Sequence, residues 1–303
     1  MSGPTRPPDP SELLTTETGE VRQLLTEEFA AGYVHLPGFP DAVLHVQRVL
    51  NDDRVDVEQI VQAVNLEPQL ATQVLRIANS ATFNSAARQI RDMPMAVQRI
   101  GNPMVRAAAL AFGMQQLRNS EEMRRLRDRI SAQWRRGVVV GAISKALSTQ
   151  MRMASPDTAL FAGLAHVVGR LYVLTRLNRT PWLLDQPGLA ERLMDQLGGY
   201  AGSALLENWL MPAEITSAIT NYSNPDRDLT GPVGLTDLLA GGTVLADLLP
   251  PSRTDYLDQI QLANVYLQTE PLWKRMGRTR ENCSDALHRA LEDVQQLRAM
   301  FGA

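Results

Sequence analysis

Apolar residues recur at helical spacing along almost the whole chain, and no segment sustains the two-residue alternation of a half-buried strand. β-branched residues are scattered, so the pattern predicts an all-α protein. The clearest stretch follows Ser155-Pro156-Asp157, where Ser155 is placed as N-cap and Pro156 at the first helical position. Leu160, Phe161, Leu164, Val167, Val168, Leu171 and Leu174 then follow one another as on a helix. Ala162, Gly163, Ala165 and Gly169 in the same stretch are small, which lets neighbouring helices approach closely.

Stop and start signals divide the rest. A first helix is predicted from Glu17 to Ala31, closed by Gly32. Leu36-Pro37-Gly38-Phe39-Pro40 predicts a sharp turn, with Pro40 starting the next helix. Asp56 with Gln59 predicts a capping box, and Pro68 opens a helix running to Ala78. Asn79 and Ser80 are turn formers expected to bond nearby backbone. Asp92 with Pro94, and Asn102 with Pro103, are two further helix starts, with Gly101 ending the helix between them. A long helix is predicted from Ser120, and others over 236–249, 254–268 and 282–300. On the last, Leu287, Ala290, Leu291, Val294, Leu297 and Phe301 form an apolar stripe expected to be core. Pro4, Pro7, Pro8 and Pro10 predict a disordered tail over 1–16. The organisation expected is this tail, an N-terminal helical subdomain over 17–118 and a second helical subdomain over 119–303, sharing one core.

Composition narrows the function classes. The 303 residues are 44% hydrophobic but only 5% aromatic, so aliphatic side chains must fill a sizeable core. The one cysteine, Cys283, excludes an intramolecular disulfide and fits a reducing, cytoplasmic setting. The start of the chain lacks the apolar core of a signal peptide. The apolar stretches 137–147 and 235–249 are interrupted by charges and fall short of the roughly 20 residues that span a bilayer, so no membrane role is expected. A net charge of −3 makes nucleic acid an unlikely partner. No phosphate-binding glycine loop or nucleophile elbow occurs, His35, His45 and His288 are isolated, and no carboxylate or histidine pair stands at acid–base spacing.

One charged segment stands out. Arg124, Arg125, Arg127, Arg129, Arg135 and Arg136 crowd one stretch, partly offset by Glu121, Glu122 and Asp128. Two readings stay open: a solvated face with pairing along its own helix, or an anion or partner surface built from guanidinium forks.

The segments HLPGFPDAVLHVQRVLND (35–52), VDVEQIVQAVNLEPQLATQVLRIANSATFN (55–84) and IRDMPMAVQRIGNPMVRAAALAF (90–112) resemble, in order, the N-terminal half of the HDOD domain. That domain is the HD-related output domain of bacterial signalling proteins. SALLENWLMPAEITSAI (203–219) resembles a later segment of the same family, so the likeness runs from about Gly32 to Tyr222. FAGLAHVVGRLYVL (161–174) resembles the metal-binding helix of HD phosphohydrolases, whose pattern is GLLHDIGKL.

The resemblance implies where the metal ligands of HD enzymes would fall. Trp134-Arg135-Arg136-Gly137 matches a Trp-Arg-His-Ser context and puts Arg136 at the first histidine. His166 keeps its place, but Val167 stands at the aspartate. Gly198 and Tyr222 fall at the later histidines. A single imidazole beside a permanent cation cannot hold a metal that needs three or more ligands. His166 is then either a core histidine or the one surviving ligand. The expectation is a non-enzymatic, cofactor-free signalling output or adaptor protein with a vestigial HD site at Arg136, His166, Val167, Gly198 and Tyr222. Its partners would be unidentified signalling proteins, and a nucleotide second messenger is one further candidate. Two alternatives are residual phosphohydrolase activity on a nucleotide or cyclic dinucleotide, and nucleotide sensing in the vestigial cleft.

Overall fold

In the computed structural model the described residues are 10–303, apart from 33–34, 53, 85–87, 154, 187, 225–226, 228 and 250–258. Among them there is no strand. The N-terminal half contains α1 (Pro10–Ala30), α2 (Asp41–Val49), α3 (Val57–Asn65), α4 (Pro68–Ala78) and α5 (Met93–Asn119). A 3-10 helix, Glu121–Leu126, leads into α6 (Arg127–Met151), α7 (Pro156–Ala165), α8 (Val168–Leu177), α9 (Pro181–Leu184), α10 (Leu189–Asn208) and α11 (Ala213–Asn221). The chain finishes with α12 (Leu235–Ala246), α13 (Gln259–Gln268), α14 (Glu270–Arg275) and α15 (Arg280–Phe301).

The local signals set most boundaries. Asp56 and Gln59 exchange both capping-box bonds, at 2.8 and 3.0 Å. Asp92 accepts from the Met95 N–H. Gly101 takes a left-handed φ of 74° inside α5, where Asn102-Pro103 restarts the helix. The Asn79 amide accepts from the Ile90 N–H and donates to the Ile90 and Leu75 carbonyls, while Ser80 donates to Ile77. Both residues thus pin backbone, as the sequence suggests.

Three expectations need correction. The predicted tail over 1–16 overlaps α1, which begins at Pro10; proline at a first helical turn loses no bond. Residues 1–9 lie outside the described residues, as do 254–258 of the helix predicted over 254–268. No long helix starts at Ser120. Met123 and Leu126, three apart, are both buried, and a 3-10 helix stacks that spacing on one side. The predicted apolar helix through 161–174 is two helices, interrupted at His166–Val167. Ser155 stands at the N-cap of α7, but its side chain makes no capping bond.

One continuous cluster of buried apolar side chains runs from Val21 to Phe301. Arg106 joins its halves. This buried arginine donates to Gln47 (3.0 Å) of α2, and to the Leu50 carbonyl (2.7 Å) and Asn51 (2.9 Å) just after it. It also meets the Met211 sulfur and stands over the Phe161 ring. Burial pulls its pKa down to about 10, so it is still charged at neutral pH. α1, grouped by sequence with the N-terminal half, packs on α10 instead. Glu28 on α1 accepts from Tyr172 (2.9 Å) and Arg176 (2.5 Å) of α8 and from Arg179 (3.1 Å).

Close helix crossings depend on glycine. A Cβ on Gly163 of α7 would lie 2.3 Å from the Gly141 Cα of α6, and one on Gly169 of α8 would lie 1.9 Å from the Gly198 carbonyl of α10. Together α7 and α8 make one stretch, Pro156–Leu177, long and apolar enough to cross a membrane, but its most apolar part is mostly buried within the protein. Cys283 is buried too, and burial pushes its thiol up to about 12, which keeps it protonated and unreactive.

Two outcomes are expected in urea unfolding. Gly169→Ala should destabilise by about 2 kcal/mol or more through overpacking. Gly199→Ala, whose Cβ would meet only the Thr220 carbonyl at 3.6 Å, should be neutral or slightly stabilising. Equal effects would refute the crossing argument. Glu28→Ala should cost about 2–3 kcal/mol, because it strands the buried Arg176 guanidinium; a neutral result would mean that α1 contributes nothing to stability through this contact.

Candidate functional site

The break at His166–Val167 lies at the centre of the HD-like half. His166 ends α7 with its N–H bonded to the Ala162 carbonyl, and Val167 begins α8. Both residues are buried. α6 crosses this turn at Gly137, whose absent side chain leaves Val167 Cγ2 and the Leu164 carbonyl in contact range.

The imidazole orientation follows from one short bond. Nδ1 lies 2.5 Å from the Gly163 carbonyl, which can only accept, so Nδ1 carries the proton. Nε2 is left as an acceptor and has no hydrogen-bond partner, though it is fully buried. Burial above all, then the Arg136 charge, pulls the pKa of His166 down to about 3, and Arg170 adds to this. Tyr222 packs edge-on against the imidazole, ring centres 5.7 Å apart. Its phenol is held above the ordinary range, chiefly by burial.

Two ion pairs flank this ring. Arg136 reaches Asp247 at 2.5 Å. Arg170 pairs with Asp195, and its Nε donates to Gln133 at 2.9 Å. A Cβ on Gly198 would fall 2.8 Å from the Arg170 Cγ, so the arginine stem fills the room that a side chain at 198 would need. The fold therefore brings Arg136, His166, Val167, Gly198 and Tyr222 into one neighbourhood. Arg170, Asp195, Asp247 and Gln133 escape sequence reasoning. The available signal for Arg170 is its place one helical turn beyond His166.

A divalent metal does not fit these residues. The donor set at the HD position is one imidazole nitrogen, facing two guanidinium groups and a valine. Among the described residues no group of three or more His, Cys, Asp or Glu side chains could hold a metal ion.

The arginine segment splits. Arg125 pairs with Asp185 at 2.9 Å, and Arg129 approaches Glu191 at 3.8 Å and donates to the Leu184 carbonyl. None of these arginines pairs with Glu121, Glu122 or Asp128 on its own segment among the described residues; the acids come from α9, α10 and their surroundings. Arg124 and Arg127 are exposed and Arg135 half-buried.

With His166 neutral in the fold and protonated near pH 6.5 when unfolded, stability is complete above about pH 6.5. As pH falls from there towards 3, the unfolded chain takes the proton and the folded one does not, costing roughly 1.4 kcal/mol per pH unit. Urea titrations at stepped pH should therefore give His166→Asn a shallower acid slope than the wild type. Parallel slopes would show that His166 is not held neutral.

The HDOD domain family matches residues 36–225, well over half of the chain. An HDOD domain protein of unknown function from Geobacter sulfurreducens superposes with a TM-score of 0.63 at 21% identity, covering 93% of this chain and 97% of its own. A provisionally named metal-dependent phosphohydrolase from Shewanella amazonensis gives 0.68 at 20% identity, covering 92% and 99%. A provisionally named signal transduction protein from Marinobacter aquaeolei gives 0.60 at 19%, covering 95% and 65%. An uncharacterised protein of Treponema pallidum is 23% identical over 198 residues, which span 62% of this chain and only 38% of that relative. At these identities the structural likenesses concern the fold, whereas the family match rests on the sequence itself: the chain belongs to the HDOD family.

Proposed function

We propose that this HDOD protein is a signal-transduction module that works in the cytoplasm by binding other proteins, with no hydrolase chemistry at its HD position. The donor set carries this reading. The position where an HD enzyme concentrates acids and imidazoles is here occupied by Val167, by the stem of Arg170 and by two arginine–carboxylate pairs. Such a centre repels a divalent cation and offers no activated water. The signalling name of the Marinobacter neighbour supports the role. The phosphohydrolase name of the Shewanella neighbour implies a chemistry that these side chains do not suit.

A second reading, a nucleotide sensor without turnover, rests on the buried Nε2 of His166, an acceptor with no donor. A ligand hydroxyl or amine would satisfy it. Titration with cyclic di-GMP and nucleoside phosphates would separate this reading from the first through a His166-dependent shift in melting temperature.

Elemental analysis of purified protein should find no stoichiometric transition metal. About one tightly bound metal per chain, or metal-dependent hydrolysis of cyclic di-GMP abolished in His166→Ala, would overturn the proposal.

A further inference from the structure

Four arginines gather at the C-terminal end of α15. Arg118, at the end of α5, donates to the Gly302 carbonyl at 3.1 Å. Arg127, at the start of α6, donates to the Arg118 carbonyl at 3.3 Å. α6 and α15 pack together, and Arg135 on the first lies near enough to Arg298 on the second for their charges to repel. Among the described residues, none of the four has a carboxylate within the 4.0 Å of an ion pair. Their neighbours Arg125, Arg129 and Arg136 each have one.

Local acceptors do not neutralise the group. The last carbonyls of the helix, at Met300, Phe301 and Gly302, already accept from Arg76, Trp134 and Arg118. The negative pole of α15 is thus largely satisfied. Arg298 Nε is buried without an acceptor, and burial, followed by the Arg135 charge, pushes its pKa down. Crowded like charges and an orphaned donor both destabilise a fold. In a chain of net charge −3, acids were available to relieve them.

We infer that Arg118, Arg127, Arg135 and Arg298 form a docking surface for an acidic segment of a partner protein. The inference rests on the binding role proposed above and names its surface and partner chemistry. Guanidinium forks pair bidentately with carboxylates. Here they are spread over α5, α6 and α15, which suits several carboxylates along a chain better than one phosphate. Beside them, Arg76, Ile77, Ala81, Ala299 and Met300 help line a groove of about 530 Å³, an apolar seat for a residue of the same segment. Nucleic acid fits less well: the chain is acidic and, among the described residues, the exposed large aromatics, Trp182 and Tyr200, lie on other helices. Of the six arginines in the segment that the sequence singles out, Arg127 and Arg135 belong here, and Arg136 pairs with Asp247. Arg125 and Arg129 are turned towards Asp185 and Glu191, and Arg124 is exposed on the 3-10 helix.

Thermal denaturation of the full chain tests this with hexaglutamate as probe, against sodium chloride of equal ionic strength. Hexaglutamate should raise the wild-type melting temperature beyond the salt control. In Arg135→Gln/Arg298→Gln that rise should be lost, while the variant alone melts no lower than wild type. Equal responses, no wild-type response, or a variant melting several degrees lower would overturn the inference. A larger stabilisation by inorganic phosphate or a single-stranded oligonucleotide would overturn the assigned partner class. Arg127→Gln/Arg135→Gln on α6 should lose the response in the same way, and a retained response would overturn the inference. Metal-dependent turnover would overturn the proposed function and leave this surface standing; an inert hexaglutamate would remove this surface alone.

Discussion

The glycine-to-glycine approach of helices is the constraint on which the centre of this protein depends. Gly141 against Gly163 brings α6 onto α7, and Gly169 between Gly198 and Gly202 brings α8 onto α10. These contacts lie on either side of the His166–Val167 turn and fix it from both directions. Backbones that close leave no room for adjustment. The positions that the resemblance matches to an HD metal centre therefore stay together, although their side chains do not suit a metal.

Internal charge pairs occupy this neighbourhood. Arg136 and Arg170 flank His166, and Asp195 and Asp247, largely exposed, balance them from the rim. A partly exposed pair of this kind is worth little to stability. Its larger effect is on the imidazole, because two nearby positive charges and burial hold His166 neutral. A neutral, buried histidine with its proton fixed on Nδ1 is a rigid wall element, and Val167 beside it is core.

The two halves are coupled by polar groups as much as by apolar contact. Arg106 reaches backbone and amide acceptors of α2 and its C-terminal turn, while lying over Phe161 of α7. With no carboxylate among its bonds, it needs every one of those acceptors, since a buried charge left short of partners is costly. α1 and α15, both outside the family match, add a second tie each: Glu28 to Arg176, and the last carbonyls of α15 to Arg76, Trp134 and Arg118. Movement of one half against the other would have to break such contacts.

The sequence by itself determined the helical class, the capping box at Asp56, the starts at Pro68 and Asp92, the break at Gly101 and the backbone role of Asn79 and Ser80. All of these are local: one cap, one φ angle or one side chain bonding its own neighbourhood decides each. The departures from the HD pattern at Arg136 and Val167 are likewise local, because they concern residue type at a fixed place in a pattern. Tertiary structure decided the rest. It broke the apolar run at His166, made a 3-10 helix of Glu121–Leu126, and sent α1 to the far half. It also chose the partners of the arginines. Asp185, Glu191 and Asp247 lie more than 50 residues from the arginines they meet, so no helical spacing could reveal them. Only the packing of α6 against α12 and α15 determined which guanidinium groups would be neutralised and which, like Arg135 and Arg298, would lie near each other with no ion-pair partner among the described residues.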